Sequence, residues 1–131
     1  MIVVDASAAL EMLLCGPRGE SVAALLFDSH EALAAPHLLD VEVLQVLRRL
    51  VRRGEVSAAR AEQAIADLAA WPLARYEHSW LTSRIWSLRD NATAYDACYL
   101  ALAEVLEARL VTCDAALATV PGCDARVALV S

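Results

Sequence analysis

The chain has 131 residues, 59% of them apolar and 21% charged, with a formal net charge of −6. This length builds one core and one domain, and the apolar content excludes intrinsic disorder. All 11 basic residues are arginine, which excludes chemistries that need a lysine: P-loop NTPases, protein kinases and Schiff-base enzymes.

Residues 1–4, Met-Ile-Val-Val, read as a short buried strand that meets Asp5 at once. Without a basic n-region this start is not expected to be a signal peptide. A helix is predicted over 6–15, ended by Gly16-Pro17, and a second over 18–29. Ala32–Ala35 reads as a strand ended by Pro36. His37 to Arg53 is a long helix stopped by Gly54, and Ser57 caps the next, which ends at Trp71-Pro72. Leu73–Tyr76 is a weaker strand, 78–88 is helical, and Thr93–Ala108 is a strong helix. Leu110–Cys113 is a buried strand, Ala115–Thr119 a short helix, and Arg126–Val130 the last strand. Short apolar strands alternating with helices predict an α/β three-layer sandwich, with a short parallel sheet covered on both faces, in one domain over 1–131.

No apolar run reaches the ~18 residues of a membrane span. Cys15, Cys98, Cys113 and Cys123 form no C-x-x-C pair, and His30, His37 and His78 stand at no zinc-ligand spacing. The cysteines read as small buried residues in a reducing compartment, so a cytoplasmic protein is expected. The acidic balance argues against a surface coated in positive charge for nucleic acid. Trp71, Trp80 and Trp86 are expected in core or interface packing, because positions six apart share no helix face. Tyr95 and Tyr99, four apart, suit either a dimer contact or a groove wall.

Four acids stand apart from the solvated remainder. Asp5 and Asp114 each follow directly on a predicted strand, at the edge where open α/β sheets bind ligands. Each also precedes a helix, where aspartate is a favoured N-cap. Thr93-x-x-Asp96 resembles a capping box. Yet at about 100° per residue Asp96 shares the apolar face of Tyr99, Leu100 and Ala103. On the 37–53 helix, with Leu38 at zero, the leucine and valine stripe spans about 80–180°. Glu42 falls near 40°, on the rim of that stripe, and Asp40 near 200°, well away from it. The geometry therefore selects Glu42. A carboxylate on a buried rim is paired, protonated or metal-bound. Four carboxylates with no histidine suit a hard cation, Mg2+ or Mn2+, which can orient a water and neutralise charge on a phosphoryl oxygen. Arg49 and Arg53 lie near 20° and 60°, on the Glu42 side, and suit a polyphosphate backbone; a solvated basic helix end is the plainer alternative.

The stretch Val4-Asp5-Ala6-Ser7-Ala8, then Pro36 with Glu42 and Leu47, then Thr93-Ala94-Tyr95-Asp96-Ala97, then Leu110-Val111-Thr112-Cys113-Asp114 resembles the PIN-domain family, and more narrowly the VapC-type toxins of prokaryotic toxin–antitoxin systems. The likeness covers Met1 to Val130. It implies a metal-dependent endoribonuclease whose acids map onto Asp5, Glu42, Asp96 and Asp114, with hydroxyls at Ser7 and Thr112. It implies one or two Mg2+ or Mn2+ ions, an RNA substrate, a small antitoxin partner and a homodimer. The further acid that some members carry after the last aspartate is absent, since Ala115-Ala116-Leu117-Ala118 stand there. The alternatives are a silent PIN-fold interaction module and a non-toxin RNA-processing nuclease. Haloacid-dehalogenase-like phosphatases and receiver domains need a lysine beside their aspartates, and the former a second aspartate where Ser7 stands.

Overall fold

A computed structural model of the chain describes all residues from Met1 to Ser131. Its strands are β1 (Ile2–Val4), β2 (Leu33–Pro36), β3 (Leu73–Tyr76), β4 (Arg109–Thr112) and β5 (Arg126–Leu129). They form one parallel sheet in the order β3-β2-β1-β4-β5. Parallel pairing forces a crossover between every two strands in sequence. The crossovers carry α1 (Ala6–Leu13), α2 (Gly19–Phe27), α3 (Leu38–Arg52), α4 (Ala58–Ala70), α5 (Thr82–Ser87), α6 (Ala94–Val105) and α7 (Ala115–Ala118). This is the α/β sandwich with a short parallel sheet that the alternating pattern predicts. No helix is long and apolar enough to cross a membrane.

Strand order decides where a ligand can sit. From β1 the chain moves outward through β2 to β3, then returns to place β4 and β5 on the other side of β1. The connections leaving β1 and β4 thus diverge and open a crevice at the carboxyl ends of these neighbours. Val3 pairs with Leu110 and Val4 with Val111, so Asp5 and Asp114 leave the sheet beside each other.

The core is the two-sided burial of β1, β2 and β4 beneath the helices. Ile2, Val3, Val4, Leu110 and Val111 are fully buried. On one side α6 packs on β1, β2 and β4, while α1 packs against α2, α3 and α4. Seven consecutive residues of α6, Ala97 to Ala103, are buried. Four of the seven are alanine or cysteine, which lets the helix backbone approach the sheet, and Leu100 and Leu102 then contribute about 1.5–3 kcal/mol each by burial.

Some expectations shift at helix ends. The helix predicted to Ala108 stops at Val105, because Glu107 adopts a left-handed conformation with φ 50°. Its N–H bonds to Glu104 O, and the Ala108 N–H to Ala103 O, closing a Schellman cap without glycine. The 78–88 helix opens instead with a 3-10 turn at Ser79–Leu81 before α5. There the Thr82 hydroxyl donates to Ser79 O and the Trp80 indole N–H to Glu77 O, local bonds that compete with the helical ladder. Trp80 and Trp86 are exposed rather than packed in the core, with Arg89 stacked over the Trp86 ring. All four cysteines are free; Cys98 is buried, but Cys15 is exposed.

Candidate active site

Each site acid is placed by a local rule. Asp5 ends β1 and caps α1: its Oδ1 accepts the Ala8 N–H at 2.9 Å. Asp114 ends β4 and caps α7, accepting from Ala116 N at 2.9 Å. The Thr93 hydroxyl caps α6 by accepting the Asp96 N–H at 3.1 Å, and the Asp96 carboxylate makes no return bond. Glu42 stands one turn into α3. All four line one cavity of about 470 Å³ at the carboxyl edge of β1 and β4. The capping and ligand-binding readings of Asp5 and Asp114 are therefore both true: one residue serves both ends.

Asp5 is 3% exposed. The Thr112 hydroxyl donates to its Oδ2 at 2.5 Å, and the Ser7 hydroxyl to its Oδ1 at 2.7 Å. Thr112 Oγ1 in turn accepts the Asp114 N–H, and Ser7 Oγ the Cys113 N–H, both at 2.9 Å. The two hydroxyls sit 3.2 Å apart. Ser7 and Thr112 thus stitch the ends of β1 and β4 together and fix the Asp5 carboxylate in one orientation.

Three of the four acids have their carboxyl groups pushed up by burial. Burial pushes the Asp5 carboxyl above its ordinary value against the pull of its three donors, Thr112 foremost. Burial likewise raises Glu42, opposed by the Tyr99 hydroxyl and reinforced by the charges of Asp96 and Asp5. Asp96 is raised by burial and then by Asp114. None of the four takes part in an ion pair. Glu42 Oε1 and the Tyr99 hydroxyl are buried without completing a hydrogen bond. No three acidic, histidine or cysteine side chains converge closely enough to enclose an ion. An open set of hard oxygens, one of them buried and unpartnered, fits Mg2+ or Mn2+, which use few protein carboxylates and keep several waters.

Asp40 turns away from the cavity and pairs with Arg75, its Oδ2 at 2.6 Å from Nε. Arg49 lines a neighbouring hollow with Glu42 and Tyr95, and Arg53 is exposed at the end of α3; neither lines the acid cavity. Three polar lining residues stand outside the predicted site set: Glu11, Arg18 and Tyr99. Tyr99 shares the Asp96 face, which leaves a dimer contact and a groove wall both open; the structure buries it on the cavity wall. For Glu11 and Arg18 the one available signal is a pair of glycines, Gly16 and Gly19, bracketing a proline and an arginine.

The PIN domain family model matches residues 2–122. The chain belongs to the PIN-domain family. Among PIN-domain relatives it is 44% identical to Ribonuclease VapC9 of Mycobacterium tuberculosis over 114 residues, 87% of this chain and 86% of that one. It is 38% identical to Ribonuclease VapC12 of the same organism over 131 residues, the full length of both. The fold matches VapBC2 from Rickettsia felis, solved bound to a DNA fragment from their promoter, with a TM-score of 0.72 at 14% identity over all of both chains.

Proposed function

We propose that this PIN-domain protein is a Mg2+- or Mn2+-dependent endoribonuclease, the toxin of a type II toxin–antitoxin pair. One observation carries the reading: four carboxylates from four elements line a single cavity at the switch point of the sheet, and none has a cation partner. Asp5, Glu42, Asp96 and Asp114 would hold one or two ions. Such ions supply an activated water and neutralise charge on the cleaved phosphate. Ser7 and Thr112 hold Asp5 at a fixed angle through hydroxyl donors. Arg49 and Arg53, beyond the cavity wall along α3, suit the RNA backbone as it leaves the site.

The partners are an RNA, a small antitoxin and a second copy of the chain. Exposed Val41 and Tyr95, beside the Glu42 hollow, offer apolar surface for the last. The four unlinked cysteines fit a cytoplasmic setting, and the whole of 1–131 serves as one domain.

The test is RNA cleavage with Mn2+. Wild type should cut RNA and stop on addition of EDTA. Asp5→Asn keeps the oxygen that caps α1 and exchanges the one facing the Thr112 hydroxyl for an amide nitrogen; it and Asp96→Asn should each lose on the order of 100-fold in rate, the scale for removing one charge aimed at the reacting group, with Tm recorded for both. Equal rates in all three proteins, or cleavage that survives EDTA, would contradict the reading.

A further inference from the structure

The acid cavity has one cation on its wall. Five acids line it, Asp5, Glu11, Glu42, Asp96 and Asp114, together with Arg18. The arginine is built into place. Its Nε and Nη2 donate to Glu11 Oε1 at 3.1 and 2.7 Å, and its backbone N–H to Glu11 Oε2 at 3.1 Å. Its Nη1 donates to the Cys113 carbonyl at 3.1 Å, which fixes the guanidinium beside the strand end where Asp114 departs. The turn between α1 and α2 closes tightly over this pair. A Cβ on Gly16 would come within 2.1 Å of the Glu11 carboxylate, and one on Gly19 within 2.9 Å of the Glu11 carbonyl.

A guanidinium has five N–H groups. Glu11 and Cys113 take three, leaving one on each terminal nitrogen. The side chain stays 37% exposed, so this is an oriented cation with spare donors rather than a sealed staple. Its orientation is set before any substrate arrives, which reduces the ordering cost of binding.

Resting on the nuclease reading above, we propose that Arg18 is a substrate-binding residue, taking a backbone phosphate oxygen of the RNA with these two N–H groups at the edge of the acid cavity. Glu11 aims it and also damps its charge. The two partners therefore act in opposite directions: loss of Arg18 weakens RNA binding, while neutralising Glu11 strengthens it.

The experiment measures anisotropy of a labelled 20-nucleotide single-stranded RNA of mixed sequence in CaCl2, across a salt series, with Tm recorded for every variant. Arg18→Gln should raise Kd about tenfold and flatten the salt dependence by about one phosphate contact. Glu11→Gln should lower Kd a few-fold. Arg18→Lys keeps the charge without the fork; it should restore the salt slope but not the full affinity, and it serves as the reading if Arg18→Gln does not fold. The Tm rise on adding Mn2+ should be unchanged in every variant that folds. A purely structural pair predicts otherwise: Kd and salt slope unmoved in Arg18→Gln and Arg18→Lys, or Glu11→Gln and Arg18→Gln weakened alike. Either result overturns the proposal while wild type still cuts RNA. Wild type that neither binds nor cuts RNA overturns the nuclease reading itself, and this proposal with it.

Discussion

Glu42 shows how a site residue can oppose the fold that carries it. Burial raises its pKa, so the folded state holds the proton more tightly than the unfolded chain does. Its contribution therefore declines as pH rises from the ordinary glutamate range through the raised value. Glu42→Gln removes that charge. Without metal the variant should be more stable than wild type by on the order of 0.5 kcal/mol, a small figure because solvent reaches the open side of the residue. It should also lose cleavage and most of the stabilisation that Mn2+ gives. Urea unfolding at pH 7, with and without Mn2+, checks both. Asp5 is different in kind: its three donors anchor a helix start and a strand end, so only a substitution that keeps the acceptor leaves the fold intact.

At the scale of elements, the carboxylates outside the cavity do the opposite work. Arg84 on α5 donates from Nε and Nη2 to Glu104 on α6 at 2.8 and 2.9 Å, and Glu104 also accepts the Asp124 N–H. Arg84 chiefly holds the Glu104 pKa down, to about 2. A depressed carboxylate stabilises above its unfolded value and loses that contribution as pH falls from about 4.5 toward 2. Glu104→Gln should cost about 1–2 kcal/mol at pH 7 and progressively less as pH falls toward 2, measured by denaturant midpoints across that range.

The same contrast explains what could be read from the sequence. Asp40 and Glu42 are two residues apart, and the helical angle alone sent one to Arg75 and the other to the cavity. Periodicity reports a face, and a face is enough when the partner is the protein body. Arg18 was not legible in this way. Its role comes from Cys113, 95 positions away, and no local pattern encodes that meeting. The early end of α6 was hidden for a related reason: a glutamate stands at a position where glycine is the usual signal.

For the whole molecule, net charge and topology are one subject. The formal charge of −6 counts four carboxylates gathered at one edge of the sheet. Two divalent ions there would bring the total to about −2. On the nuclease reading, the excess of acid is then a place for cations more than a surface that repels RNA. Binding to the folded state alone raises stability with the logarithm of ion excess. Each tenfold increase in Mn2+ above Kd should raise Tm by about 5 °C for a chain of this size. Differential scanning fluorimetry should show this slope in wild type and a much flatter one in Asp96→Asn. Equal slopes in the two would remove Asp96 from the ion site.

The stitching of β1 to β4 has one more consequence. The amides of Ala8, Cys113 and Asp114 donate to Asp5, Ser7 and Thr112, and those three acceptors are bonded to one another. None of these amides can open without disturbing the rest, so their protons should exchange with solvent as one cooperative unit. Three backbone positions on two distant stretches of chain thereby become natural reporters of whether the cavity is filled, readable by amide exchange in a protein that carries no added probe.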